Sequence, residues 1–173
     1  MKNRVKSWLL CALRTVKSVP SVKSKLKKIQ PFFEVYEAQQ HDKLEIERWL
    51  NKKLTVSGET EFILIARFYG MLAGCIKLIY YGDKRPEMPH YWLYALVVKP
   101  LFRSMGCGTK LCQHAVEFAH QRQINTLHLL VNPENLQALN VYRKSGFVID
   151  NKLTISWNNK YQILTYKKGA ENG

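Results

Sequence analysis

The segment from Leu96 to Ala119 constrains this chain more than any other, because it joins three kinds of backbone without a break. Leu96-Val97-Val98 is β-rich and is closed by Lys99-Pro100. Arg103-Ser104-Met105-Gly106-Cys107-Gly108-Thr109 is a glycine-bearing turn, and Leu111, Ala115, Phe118 and Ala119 form the apolar stripe of a helix. A strand, a turn and a helix in this order leave backbone N–H groups unpaired at the helix start, where the peptide dipoles gather about half a positive charge. Gly106 and Gly108 let an anion approach the backbone there, so such a junction can cradle a pyrophosphate. Alone, the signal is weak. The spacing is neither GxGxxG nor the Walker pattern, and a glycine turn before a helix is usually only a turn.

Elements on either side extend the pattern. Phe32 to Ala38 reads as a strand and Asp42 to Leu54 as a helix, with Leu44, Ile46, Trp49 and Leu50 apolar among charges. Glu61 to Phe68 and Met71 to Tyr81 are β-rich runs joined by a hairpin signal at Tyr69-Gly70, and His90 to Val98 is a further strand after the loop Gly82 to Pro89. Beyond the long helix, Thr126 to Val131 is a strand. Asn132-Pro133-Glu134 is then expected to open a helix, with Asn as cap, Pro at the first helical position and an acid at the positive end of the dipole, and Gly146 to stop it. Phe147 to Ile149 and Tyr161 to Tyr166 are expected to end the chain as a closing hairpin. No internal repeat is visible.

A chain of 173 residues with 46% hydrophobic and 12% aromatic content has room for one core and an appendage. Residues 1–30 hold nine of the Lys and Arg residues and no acid, so they carry +9 of the formal +14, leaving +5 for the rest. Within them Val5, Trp8, Leu9, Ala12, Leu13 and Val16 make an amphipathic stripe that Pro20 stops, with Lys2, Arg4, Lys6, Arg14 and Lys17 on the other face. The apolar run is too short to span a membrane, and Arg14 interrupts it before a secretory core could form. Residues 1–30 are therefore expected to be a basic extension, suited to packing on the domain, to organelle targeting or to an anionic surface such as a membrane or another polyanion. The folded domain is expected over residues 31–173, in a cytoplasmic protein that the extension could hold at a membrane periphery. No base-reading or base-stacking motif supports a specific nucleic-acid partner. Cys11, Cys75, Cys107 and Cys112 show no paired spacing and read as free thiols, and the scattered histidines predict no protein-bound metal.

Taken together, Val98-x-Pro100-x-x-Arg103-x-x-Gly106-x-Gly108 and the later series Asn135, Ala138, Tyr142 and Gly146-Phe147 resemble the GNAT superfamily of N-acetyltransferases in order and spacing. The motifs span Leu96 to Phe147. The resemblance implies an α/β (α+β) fold whose central sheet is mixed, mostly antiparallel and twisted, with a splayed parallel strand pair and flanking helices. It implies acetyl-CoA as acetyl donor and an amine as acceptor: a small molecule, a peptide N-terminus or a lysine.

Site residues follow by position from the same resemblance. The backbone of Leu96, Val97 and Val98 would pair with the pantetheine arm like an added strand, with Val98 as the main polar contact and its N–H as oxyanion donor. The amides of Arg103, Ser104, Met105, Gly106, Cys107 and Gly108 would hold the pyrophosphate, and Thr109 could add a hydroxyl. Asn135 would hydrogen-bond the cofactor, and Tyr142 would aim its hydroxyl at the thioester sulfur. Because a phenol is a weaker acid than a thiol, full proton transfer from Tyr142 would run uphill by roughly 2 kcal/mol, so a hydrogen bond to the developing thiolate is the expected role. Many members of the family carry a Glu where this chain reads His90-Tyr91-Trp92-Leu93-Tyr94, and no acid lies there. His90 is then the candidate general base, with Asp83 or Glu87 acting through water as alternatives. The missing acid also keeps open a catalytically silent CoA-binding sensor or scaffold of the same fold.

Overall fold

The computed structural model describes residues 32–54, 60–81, 88, 90–156 and 161–169. The basic extension, Cys11, and the loop acids Asp83 and Glu87 lie outside them.

Strand β1 (Glu34–Glu37) is followed by helix α1 (Gln40–Leu50), β2 (Glu61–Phe68), β3 (Met71–Tyr80) and β4 (Tyr91–Val98). A turn of 3₁₀-helix (Pro100–Phe102) leads into α2 (Cys107–Gln121), and β5 (Thr126–Val131), α3 (Leu136–Lys144), β6 (Val148–Ile149), α4 (Asn151–Ser156) and β7 (Gln162–Lys167) complete the described elements. The strands form one seven-stranded sheet in the order β1-β2-β3-β4-β5-β7-β6. Only β4 and β5 run parallel among the described pairs. A parallel pair needs a crossover, and α2 supplies it.

The long helix covers one sheet face. Leu111, Cys112, Ala115 and Ala119 are fully buried there against Leu64, Ile76, Leu78, Leu93, Leu127 and Leu129, the stripe expected from the sequence. On the opposite face α1 presses Ile46 onto Ile63, Ile65, Leu72 and Cys75. Farther along that face, Leu153 of α4 packs with Met88, Trp92 and Ile163.

A buried ionic group fastens α1 in place. The Asp42 carboxylate accepts from the Gln39 N–H at 3.0 Å and from Arg67 Nη2 at 2.7 Å, and Arg67 also donates to the Tyr36 hydroxyl, the Glu45 carboxylate and the Gly70 carbonyl. Burial opposes ionisation of Asp42, but the hydrogen bonds from Arg67 and the Gln39 N–H outweigh it and hold its pKa below the usual range.

Local chemistry moved several expected boundaries. Helix α1 starts at Gln40 and ends at Leu50 instead of running from Asp42 to Leu54, because Asp42 serves as the third residue of the first turn and Asn51 leaves the helix in a left-handed conformation, φ 50°. The helix expected to open at Asn132 opens at Leu136. Asn132 instead closes a turn, its Oδ1 accepting the Glu134 N–H and its carbonyl the Asn135 N–H, both at 2.9 Å. Asn135 is the true cap, accepting the Ala138 N–H at 3.1 Å. The end of the chain is no simple hairpin: β6 and β7 do pair antiparallel, but α4 lies between them. Gly146, at φ 86°, ends α3 as expected, with the Phe147 N–H donating to the Tyr142 carbonyl at 3.1 Å.

Candidate active site

Strands β4 and β5 pair in parallel over Tyr91–Leu127, Trp92–His128 and Leu93–Leu129 and then part. Beyond that point β4 stays with β3 as far as Val98, while β5 stays with β7 as far as Val131. A bulge marks the separation. Tyr94 lies opposite Lys77 and Val97 opposite Cys75, so Ala95 and Leu96 together face Ile76, and Ala95 takes φ 55°.

Glycine at position 74 permits the close approach this bend requires. A Cβ there would meet the Val97 carbonyl oxygen at 2.8 Å, Leu111 at 3.1 Å and Val98 at 3.3 Å. Nothing in the sequence reading singled out Gly74; its one signal is a glycine inside an otherwise β-rich run.

Polar groups on β4 divide between the two sides. The Lys99 N–H donates to the Ala73 carbonyl at 2.8 Å, and by strand alternation the Val98 N–H and C=O therefore point away from β3, toward the gap. The Val98 carbonyl accepts from Arg103 Nε at 3.0 Å. Its N–H remains as the donor that β4 offers to the cleft.

Directly past the splay lies the turn. Phe102, Met105 and Cys107 are buried in the core, while Arg103, Ser104 and Gly106 are exposed, so alternate residues anchor and present the loop. Ser104 at φ 61° and Gly106 at φ 83° bend the backbone into the start of α2. The first helical bond runs from the Lys110 N–H to the Gly106 carbonyl at 2.9 Å, leaving the amides of Cys107, Gly108 and Thr109 with no carbonyl earlier in the helix. No side chain caps this end and its first turn contains no acid, so positive potential faces outward. A Cβ on Gly108 would stand 3.7 Å from both Val98 and Val141 and 3.9 Å from Leu96. Gly108 thus forms the floor of a groove walled by β4 and α3.

Helix α3 completes that wall. Asn135 spends its oxygen on the cap, and its NH₂ group makes no described hydrogen bond. Tyr142 is half-buried and sets its ring 6.1 Å from that of Phe147. Burial, with a smaller contribution from the neighbouring Cys112, pushes its pKa up to about 12. Cys107 and Cys112 are buried free thiols, pushed up by burial to about 12 and about 11, and so lack the thiolate character a nucleophile needs.

His90 stands apart from these groups. It precedes β4, at φ 63°, at the paired end of the two strands, and its ring lies 5.6 Å from that of His128. His128 is buried with Nδ1 2.8 Å from the Thr165 hydroxyl, which donates to Asp150 at 3.2 Å. Since that hydroxyl has one proton to give, His128 carries its own proton on Nδ1. The structure therefore sets the turn from Arg103 to Thr109 directly after the strand end Leu96, Val97 and Val98, and brings Gly108 against Val98, Leu96 and the Val141 side chain of α3, the helix that Asn135 caps and that carries Tyr142, while His90 lies at the other, paired end of β4. A cavity of about 530 Å³ opens elsewhere, at the β6–β7 edge by Gly146, Asp150, Lys152 and Lys167. Among the described residues no cluster of three or more His, Cys, Asp or Glu could hold a metal ion.

The family model described as the acetyltransferase (GNAT) family matches residues 25–147, well over half of the chain. The chain belongs to the GNAT acetyltransferase family. No curated protein matches the sequence. Solved structures share the GNAT fold at low identity. The PaiA N-acetyltransferase of Thermoplasma acidophilum, in complex with coenzyme A, is 17% identical over 79% of this chain and 99% of its own, with a TM-score of 0.58. Aminoglycoside acetyltransferase AAC(6′)-Ib, in complex with coenzyme A and kanamycin, is 18% identical over 79% and 95%, with a TM-score of 0.62. A spermidine N-acetyltransferase chimera of Vibrio cholerae SpeG and hSSAT is 16% identical over 78% and 95%, with a TM-score of 0.60. As a GNAT fold, the molecule has the expected mixed sheet and a single splayed parallel pair among its described strands.

Proposed function

We propose that this chain transfers the acetyl group of acetyl-CoA to an amine by direct attack on the thioester. The observation that carries the reading is the groove itself: a helix start with three spare amides and no acid, floored by Gly108 and continuous with the free edge of a splayed strand. Structural neighbours of the same family, bound to coenzyme A, support it.

Bound acetyl-CoA would supply the activated acetyl group. The amides from Arg103 to Thr109 would hold the pyrophosphate, and the β4 edge from Leu96 to Val98 the pantetheine arm. The Val98 N–H would donate to the oxygen that gains charge as the amine attacks, and Asn135 would use its NH₂ group on the cofactor. Tyr142 would donate a hydrogen bond to the departing sulfur and keep its proton. With its phenol at about 12 and an ordinary thiol near 8.5, full transfer would run uphill by roughly 5 kcal/mol.

The acceptor is drawn from amines on small molecules, peptide N-termini or lysines; among the structural neighbours, one is bound to kanamycin and another is named for spermidine. An acetyl-CoA consumption screen across amines, peptides and polyamines, with mass detection of the N-acetyl product, tests the reading. An acceptor-dependent release of CoA is expected. Tight CoA binding with no turnover on any amine would instead identify a silent sensor or scaffold, the alternative that the acid-free β4 keeps in play.

A further inference from the structure

At about 530 Å³, the cavity at the β6–β7 edge has the size that takes a small organic molecule. β6 is the last strand of the sheet, and both of its residues are open to solvent, Val148 at 57% and Ile149 at 38%. They line the cavity and give it an apolar wall.

The charges around it do not cancel. Lys152 and Lys167 line the cavity, and Asp150 is the one acid among its lining residues. Asp150 is already committed, its Oδ1 accepting the Leu153 N–H at 3.1 Å and its Oδ2 the Thr165 hydroxyl at 3.2 Å. Burial opposes its ionisation, but those two bonds and then the charge of Lys167 hold its pKa below the usual range. One lysine therefore answers Asp150 and one is left over, with Lys168 next in sequence. The carbonyl end of α3 also meets this edge at Gly146, where Arg143 and Lys144 in its last turn offset the negative potential. The surplus favours an anion.

The backbone adds a donor. The Lys168 N–H donates to the Asn125 carbonyl at 2.9 Å, so by strand alternation the N–H and C=O of Lys167 point to the other side, toward β6. The β6–β7 register stops at Val148–Thr165. Gly146 stands where the next partner would be, and its N–H turns back to the Arg143 carbonyl at 3.0 Å. The Lys167 N–H is thus left facing the cavity beyond the last pair.

We propose that this cavity is a second binding site, separate from the cofactor groove, for a small organic phosphate monoester. Its three phosphate oxygens, with about two negative charges at neutral pH, are matched by the Lys152 and Lys167 ammonium groups and the Lys167 N–H. Its apolar body covers Val148 and Ile149. The site does not depend on the acetyltransferase reading.

Titration of phenyl phosphate into the isotope-labelled full chain, at constant ionic strength and followed by the NMR signals of the backbone amides, tests the site. The signals of Ile149, Lys167 and Gly169 are expected to move together and saturate. Phenyl phosphate should bind about tenfold tighter than inorganic phosphate, the margin that covering part of an apolar wall implies. Replacing both cations, Lys152→Gln with Lys167→Gln, should weaken binding by about tenfold or more while the remaining signals report an unchanged fold. Glu171→Gln, which removes the acid in the residues after Gly169, should leave the affinity as it is. Shifts confined to the turn Arg103–Thr109 or to residues 1–30, equal binding of inorganic phosphate, or an affinity that survives the double variant would each overturn the site. So would a gain in affinity in Glu171→Gln, which would give the cavity to the chain's own tail, or tighter binding of a phosphotyrosine peptide, which would give it to a protein partner.

Discussion

Arg103 turns back on the strand it follows, its Nε donating to the carbonyl oxygen of Val98 at 3.0 Å. One side chain therefore ties the phosphate turn to the strand edge that would hold the pantetheine arm, and it occupies the Val98 acceptor so that the N–H is the group left for the ligand. Arg103→Ala removes both the tie and a cation, and is expected to weaken CoA binding by about tenfold. An unchanged dissociation constant by calorimetry would reduce the bond to a loop fastening.

Gly74→Ala tests how the splay is built. The new methyl would lie 2.8 Å from the Val97 carbonyl and 3.1 Å from Leu111, so β4 must shift. A loss of about 2 kcal/mol in denaturant unfolding is expected, in the range of core overpacking, together with weaker CoA binding. Wild-type stability would show that β4 yields at no cost and that the close approach is incidental.

How much of this was legible in the sequence differs from element to element. Strands β2 and β5 lie where their β-rich runs were expected, Tyr69 and Gly70 form the expected turn with φ 48° and 81°, and the buried stripe of α2 is the one written in the sequence. These features depend on neighbours along the chain. The bulge at Ala95 does not: it arises because β4 must stay with β3 while leaving β5, and alanine carries no mark of that conflict. Gly74 matters only against a strand more than twenty residues later, and Arg67 meets Asp42 and Tyr36 across 25 and 31 residues. The order of the two asparagines also could not be read, since Asn132 and Asn135 are equally good caps until Pro133 settles into a turn. Among the proposed site residues, the motif carried Leu96 to Val98 and Arg103 to Thr109 together because they follow one another along the chain, whereas His90 was chosen by chemistry alone and lies at the paired end of β4, away from the splay.

Tyr142→Phe removes a hydroxyl that the scheme uses as sulfur departs and not to hold the cofactor. Turnover should fall by about tenfold or more while the acetyl-CoA dissociation constant hardly moves. Because burial raises the phenol to about 12, the activity that Tyr142 supports should persist through mildly alkaline pH without an inflection from phenolate formation. Wild-type turnover in the variant, with chemistry limiting, would make Tyr142 a packed aromatic and nothing more.

His128 gives a pH test of the fold away from the groove. Burial, aided by nearby His90, depresses its pKa from 6.5 to about 4, so the native state resists its protonation. A group of this sign contributes stability that is fully present above pH 6.5 and is lost as pH falls toward 4, by up to about 3 kcal/mol. Asp42 and Asp150, also held low, add their own losses only below the ordinary carboxylate pKa. In denaturant unfolding, His128→Asn should flatten the slope between pH 6.5 and 4 relative to wild type. An unaltered slope would assign the acid sensitivity to other groups.

The central claim is that the cofactor lies across the start of α2, and Gly108→Leu tests it most directly. Gly108 is helical, without the left-handed backbone that makes Gly106 a poor site for substitution, and its Cβ position has ordinary clearance from Val98, Val141 and Leu96. The backbone therefore accepts a side chain here, and the longer leucine, lying between Val98, Val141 and Leu96, is expected to cover the floor between β4 and α3. Calorimetric titration of acetyl-CoA into wild type and variant, with unfolding measured alongside, is expected to show binding in the wild type and a loss of about a hundredfold or more in a variant of unchanged stability. Equal affinity in the two proteins would contradict the account and move the cofactor elsewhere.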